Sequence, residues 1–248
     1  MCTVTFIARK NGYALGMNRD EQFTRVKALP PKRQQIDGRA ALFPSEPGGG
    51  TWIGVNDTGV TFALINWYSV QARASANAVS RGQLVRSALE ANEVDCVDQI
   101  LRRFPLDRTN PFRLIGVFHD TNQVIEWQWN LSYVHRVAHD WKTNVWISSG
   151  YDEAGAQDTR GRVFERLTEK GPTHDARWLR ALHSSHAPAR GPYSICMHRS
   201  DAETVSYTEV AVNGCSATMR YSVGPLCCNR VRHQQALRLC LEHRINCA

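Results

Sequence analysis

The chain has 248 residues, enough to bury a full core in one domain or at most two, and its 42% apolar and 21% charged content is ordinary globular composition. It holds no uninterrupted apolar run of eighteen residues, which excludes a membrane-spanning helix, and Val4 to Ala8 is too short for a signal-peptide core, so a cytoplasmic protein is expected. The net charge of +7 comes from arginines spread from Arg19 to Arg244 with no basic block interleaved with aromatics; a nucleic-acid partner is not expected, while an anionic small molecule and simple solubility both stay open.

Taken in chain order, residues 2–8 and 13–18 flank Asn11-Gly12 and predict a hairpin, which sets residues near 19 and 20 opposite residues 2 to 4. Residues 26–50, with four prolines and Gly48-Gly49-Gly50, read as a long loop. Residues 51–55 and 60–66 around Asn56-Asp57-Thr58-Gly59 predict a second hairpin, apolar enough for strands covered on both faces. Ser80 is an N-cap for a helix over 81–91, and a second helix is expected over 93–103. Strands follow near 113–119, 123–129, 132–138 and 144–148, then a polar segment over 149–161 and helices near 160–170 and 175–184. Strands return at 193–198, 204–212 and 216–223, and a last helix over 229–243 is expected from the spacing of Val231, Ala236, Leu239, Cys240 and Ile245. Strands and helices come in segregated runs, which predicts an α+β domain spanning residues 1–248 and built on antiparallel sheets, rather than a doubly wound parallel one.

Of the eight cysteines six lie after position 195, and without a secretion signal disulfides are not expected. Cys196-Met197-His198 with Cys215, Cys227 and Cys228 offers metal ligands, yet no paired C-x-x-C knuckle is present, so reduced, unliganded cysteines and no cofactor are expected. Cys2 stands apart. A small residue after the initiator methionine normally allows Met1 to be removed, leaving a cysteine with a thiol and a free α-amine. That amine titrates at about 7.7–8.0, so it can take the thiol proton and return it to a leaving group. The plainer alternative is a small apolar residue opening an edge strand.

Met1-Cys2, Asn18-Arg19-Asp20-Glu21, Gly49-Gly50-Thr51-Trp52-Ile53-Gly54, Ala63-Leu64-Ile65-Asn66 and Arg81-Gly82-Gln83-Leu84-Val85 fall in register with one family. In this combination the chain resembles the NRDE family, also called the transport and Golgi organisation family, clearly over residues 1–90 and again at 193–198 with 204–206. The resemblance implies an N-terminal-nucleophile hydrolase fold, four layers in αββα order, and reaches more distantly to cholylglycine hydrolase and penicillin acylase, which cleave amides outside peptides. It implies Cys2 as nucleophile and, through its amine, base; Asp20 as holder of that amine; Arg19 as a charge favouring thiolate; and Asn66 as an oxyanion-hole donor. The hydrolase relatives carry a second asparagine where this chain reads Ile147-Ser148-Ser149-Gly150, so a backbone N–H or Ser149 would have to replace it.

Other residues read more plainly. Asn18 to Glu21 could form a salt-bridged turn, Trp52 and Gly50 could line a pocket or fill a core, and His198 beside Cys196 suits packing better than a catalytic dyad. His119, His135 and His139 lack metal-ligand spacing on one helix. Two functions follow: a cofactor-free cysteine hydrolase of a non-peptide linear amide, working through a thioester acyl-enzyme, or a non-catalytic carrier of a hydrophobic anionic small molecule such as an acyl thioester or a tetrapyrrole. On either reading the partner is a small molecule. Cys2 is expected to be the most reactive of the cysteines.

Overall fold

Asn11 and Gly12 turn the chain between β1 (Cys2–Arg9) and β2 (Gly12–Gln22) in this computed structural model, which describes residues 2–74, 77–169 and 175–240. Gly12 is required twice over. Its φ is +137°, and a Cβ there would lie 2.1 Å from the Val212 carbonyl oxygen. The hairpin register pairs Cys2 with Arg19 and Thr3 with Asn18, the alignment expected from the turn.

Among the described residues the strands form two antiparallel sheets. The six-stranded sheet runs β10-β1-β2-β11-β12-β13, with β10 (Asn144–Ser148), β11 (Ala202–Asn213), β12 (Ser216–Val223) and β13 (His233–Arg238). The seven-stranded sheet runs β3 to β9 in sequence order: Leu29–Ile36, Arg39–Ser45, Ile53–Asn56, Thr61–Asn66, Phe112–Phe118, Gln123–Trp129 and Val134–His139. Their inner faces meet in one apolar core that includes Val4, Phe6, Leu15, Met17, Val55, Ile65, Ile115 and Met219. Each such buried side chain contributes roughly 1.5–3 kcal/mol of transfer free energy, and alternation along the strands puts them all on one side.

Helices cover both outer faces. Ser80 caps α1 (Arg81–Ala88) by accepting a hydrogen bond from Gly82 N, and α1 with α2 (Val94–Arg103) packs on Phe62, Leu64, Phe112 and Trp127 of the seven-stranded sheet. On the other side α3 (Glu153–Glu169) and α4 (Ala176–His183), the latter capped by Asp175, lie against β10, β1 and β2. The order is helix, sheet, sheet, helix, as the family resemblance implied.

Four expectations are corrected. Residues 26–50 are not a loop but hold the β3–β4 hairpin, turned at Asp37 (φ 47°) and Gly38 (φ 81°). Pro30 and Pro31 are tolerated because β3 is an edge strand, and its register slips between Leu29 and Lys32 where they sit. The polar stretch 149–161 is mostly helix, since α3 starts at Glu153, with Asp152 Oδ1 accepting from Gly155 N; Gly155 and Gly161 mask the pattern. Residues 193–198 form an irregular segment whose pairing is a single bridge from His198 to Glu203. The expected helix over 229–243 is instead β13, hydrogen-bonded along β12 from Ser216–Arg238 to Tyr221–His233. Leu237 within it and Leu239 just beyond its end are buried and two apart, the period of a strand, and 241–243 and Ile245 lie outside the described residues. No described helix is long and apolar enough to cross a membrane.

Candidate active site

Cys2 heads β1, which is not an edge strand: Arg19 lies directly across from it on β2 and Ser148 directly across on β10. Residues directly opposed in an antiparallel pair point to the same side, so Arg19, Cys2 and Ser148 share the inner face. The Ser148 hydroxyl is buried there with no hydrogen-bond partner among the described residues. Cys2, Arg19, Asn66 and Tyr68 line one cavity of about 460 Å³ between the sheets, together with Trp52 and Arg81. The sequence-derived Cys2, Arg19 and Asn66 are thus brought together.

The cavity wall depends on close backbone approach. A Cβ on Gly50 would lie 3.1 Å from the Gly82 carbonyl carbon, and one on Gly82 3.0 Å from Thr51 N, while Thr51 N donates to Gly82 O at 3.0 Å. Glycine at both positions seats the start of α1 against the strand entering β5 and delivers Arg81 to the cavity. Trp52 is buried, and the Arg19 guanidinium stacks 4.5 Å above its ring.

Electrostatics are mixed. Arg19 Nη2 lies 2.7 Å from Glu46 Oε1 and 3.1 Å from Glu21 Oε1, and Arg25 Nη2 donates to the same Glu46 oxygen at 2.8 Å. Arg81 gives one nitrogen to the Pro111 carbonyl at 3.0 Å and has no carboxylate partner among the described residues. Its charge is therefore available to an anionic group in the cavity. In the chain bearing Met1, burial pushes the Cys2 thiol above its ordinary value, with the charges of Asp20 and Glu21 acting the same way. The terminal amine and Arg19 pull in the other direction without prevailing.

Asp20 is placed differently. It is fully buried, accepts from Thr204 Oγ1 at 2.7 Å, and pairs with Arg160 of α3 at 3.3 Å. Arg160 also donates to Thr3 Oγ1 at 2.8 Å and to the Pro192 carbonyl at 3.2 Å. The Asp20 side chain thus sits on the outer, helix-covered face of the sheet, one residue beyond the partner of Cys2, and outside the cavity lining. Arg160 was not singled out in the sequence; the masked start of α3 hid it.

Tyr68 was also missed. Asn66 Nδ2 donates to the Tyr68 hydroxyl at 2.7 Å, and a Cβ on Gly150 would lie 3.0 Å from the Tyr68 ring. The phenol therefore occupies the space that a side chain at position 150 would need. Glu153, in the first turn of α3, fixes this loop by accepting from Tyr68 N at 3.3 Å and from both the backbone and hydroxyl of Ser69. Ser149 is turned to a local bond with Tyr151 N. The sequence signal was the glycine itself.

Two stacked antiparallel sheets with a cysteine heading an inner strand define an N-terminal-nucleophile hydrolase fold. The sequence profile of the Transport and Golgi organisation 2 family matches residues 1–151, and the chain belongs to that family. In structure it is similar to a variant of conjugated bile acid hydrolase from Clostridium perfringens, at 9% identity over 96% of this chain and 92% of that one, with a TM-score of 0.56. A cysteine-to-alanine mutant of the same hydrolase gives 10% identity, 95% and 92% coverage, and a TM-score of 0.52. Penicillin V acylase from Agrobacterium tumefaciens gives 11% identity over 90% of this chain and 83% of that one, at 0.49. No curated protein matches it in sequence.

Proposed function

We propose that the protein is a cysteine hydrolase of non-peptide linear amides whose substrate carries an anionic group. The observation that carries this reading is the shared cavity: Cys2 from one sheet and Asn66 from the other line the same space, with Arg81 at its wall and no carboxylate partner for it among the described residues. Conjugated bile acid hydrolase, similar in structure, acts by its name on a conjugated bile acid. A reducing cytoplasmic setting suits a free catalytic thiol.

The chemistry begins once Met1 is removed. The Cys2 amine takes the Sγ proton, and the thiolate forms a C–S bond to the amide carbonyl carbon. Negative charge moves to the carbonyl oxygen, for which the second Asn66 Nδ2 hydrogen and the Tyr68 hydroxyl are the donors. The amine then passes its proton to the leaving nitrogen as the C–N bond breaks, leaving a thioester. Water, deprotonated by the same amine, attacks that thioester, and the acid departs as the thiol is restored. Arg81 binds the anionic group, and Asp20 is a positioning residue for the amine end of β1.

A screen of amide and thioester substrates, with a Cys2→Ala control and intact-mass analysis, tests the reading. The expected result is a chain lacking Met1 that gains a substrate-derived acyl mass on Cys2, and no such adduct in the control. A second reading, a carrier of a hydrophobic anionic molecule, is favoured by the burial that keeps the Cys2 thiol protonated. Ligand binding that Cys2→Ala leaves unchanged, in a chain that retains Met1 and forms no adduct, would establish the carrier instead.

A further inference from the structure

Away from the cavity, two irregular segments meet at the outer edge of the six-stranded sheet. Residues 184–201 connect α4 to β11, and residues 224–232 connect β12 to β13. They bring together His186, Cys196, His198 and Cys227, with one potential ligand atom of each lying within 4.8 Å of all the others. His198 Nε2 is 3.3 Å from Cys227 Sγ and 3.7 Å from Cys196 Sγ, and the rings of His186 and His198 stand edge to face at 5.1 Å. Cys196 is fully buried, and the other three are half-buried. The Nε2 atom of His186 is buried with no hydrogen-bond partner among the described residues.

We infer that His186, Cys196, His198 and Cys227 form a closed, tetrahedral site for a zinc-class divalent cation. Two thiolates and two neutral imidazoles are a donor set of structural zinc sites, and ligands about 2.0–2.3 Å from a metal stand roughly 3.3–3.8 Å from one another, as His198 Nε2 does from both sulfurs here. Charge balances as well. Two thiol protons leave when the cation binds, so the occupied centre is neutral in its half-buried setting. Cys215, on the exposed β11–β12 turn, is outside the cluster, and Cys228, whose Sγ is 3.4 Å from Cys227 Sγ, is its exposed neighbour. Knuckle spacing is absent because the ligands come from two segments; only fold topology assembles them.

Around His198 the structure also supplies an outer partner. Its Nδ1 is 3.2 Å from Arg190 Nη2 and 3.7 Å from Glu203 Oε2. Ligation through Nε2 leaves the proton on Nδ1, where Arg190 cannot accept it and the Glu203 carboxylate can. Glu203 is therefore assigned as the carboxylate that orients the metal-bound imidazole, with Arg190 turning aside. The cation would tie residues 184–201 to 224–232 next to Met197, whose N–H bonds Thr204, the residue that donates to Asp20. This role is structural and does not depend on any reaction at Cys2.

The test uses the full chain, purified under reducing conditions, stripped with a chelator and titrated with Co²⁺ and Zn²⁺. The expected result is one equivalent of Co²⁺ giving the visible d–d and near-ultraviolet thiolate bands of a tetrahedral site, displaced by Zn²⁺ with a rise in melting temperature. Cys227→Ser and His186→Gln should lose the spectrum, Cys215→Ser and Cys2→Ala should keep it, and Glu203→Gln should weaken affinity by roughly 10- to 100-fold. Circular dichroism separates loss of ligation from loss of fold. Absence of the cobalt spectrum in the folded, reduced wild type would overturn the site. So would a spectrum that survives Cys227→Ser, or a Cys196–Cys227 disulfide that resists reduction under these conditions.

Discussion

Cys2 is 8% exposed, and its burial opposes ionisation as long as Met1 stays in place. A raised thiol value means that thiolate, and with it alkylation, appears only as pH rises past the ordinary cysteine range. In the Met1-bearing chain the exposed Cys215, Cys228 and Cys240 should therefore react before Cys2, whereas the order expected from sequence belongs to the chain without Met1. Removal of Met1 should move Cys2 to the front. Timed alkylation with peptide mapping, run on both forms over a range of pH, reads this directly, and a slow Cys2 in the processed chain would remove the nucleophile. A second residue-scale outcome concerns Tyr68. Replacing it with Phe keeps the ring against Gly150 but removes the hydroxyl, and should lower acyl-enzyme formation by roughly 10²- to 10³-fold, the scale of one oxyanion donor. Unchanged single-turnover rates in Tyr68→Phe would leave Asn66 and backbone donors to do that work.

β2 serves two layers at once, presenting Arg19 to the cavity and Asp20 to the helices, because adjacent strand residues face opposite sides. Asp20 and Arg160 are both fully buried, so Asp20→Asn leaves an uncompensated guanidinium and should cost about 3–5 kcal/mol rather than the small amount of an exposed pair. Asp20→Asn with Arg160→Met should recover much of that loss. Denaturant unfolding of the two single variants and the double variant checks it; additive effects would mean that the pair is not coupled. The same strand shows what could be read beforehand. Asn11-Gly12 was enough to set residues near 19 and 20 opposite residues 2 to 4, which the register narrows to Cys2 opposite Arg19, whereas Asn66 was assigned only through the family resemblance. Asp20 needed knowledge of its neighbours: its partner comes from position 160 on a helix whose start read only as a polar segment. Tyr68 was invisible because its role rests on the missing side chain at Gly150. The turn at Asp37-Gly38 went unread because the prolines and Gly48-Gly49-Gly50 around it pointed to a loop, and Pro30 and Pro31 fit a strand only because β3 is an edge. β13 failed for a related reason, since Val231, Ala236, Leu239, Cys240 and Ile245 are too sparse to separate a helix from a strand.

Across the whole molecule, two buried titrating groups shape the response to acid. His183, packed between α4 and β1 with Nε2 3.1 Å from Thr5 Oγ1, is held down to about 3 by burial and then by the charge of Arg160. The unfolded imidazole takes up a proton near 6.5 while the folded one does not, so this contribution is present above 6.5 and is lost as pH falls toward 3. Burial pushes Glu126 up, but the His139 hydrogen bond and the Arg113 charge outweigh it and hold the carboxyl at about 2. Its contribution is present above 4.5 and is lost as pH falls toward 2. Unfolding free energy should therefore fall in two overlapping steps below neutrality, and His183→Gln, if folded, should flatten the upper one; an unchanged slope between 6.5 and 4.5 would assign that step elsewhere. The interior position of β1 also bears on how the protein is made. Strands pair with Cys2 on both sides, and its side chain opens onto the cavity, so an affinity tag fused ahead of it would emerge beside the cavity and cap the amine. A preparation tagged at that end could be folded and pure yet inert, and a polyhistidine tag there would add competing ligands to every metal titration. Tags belong at the other terminus, or must be cleaved to leave cysteine as the first residue.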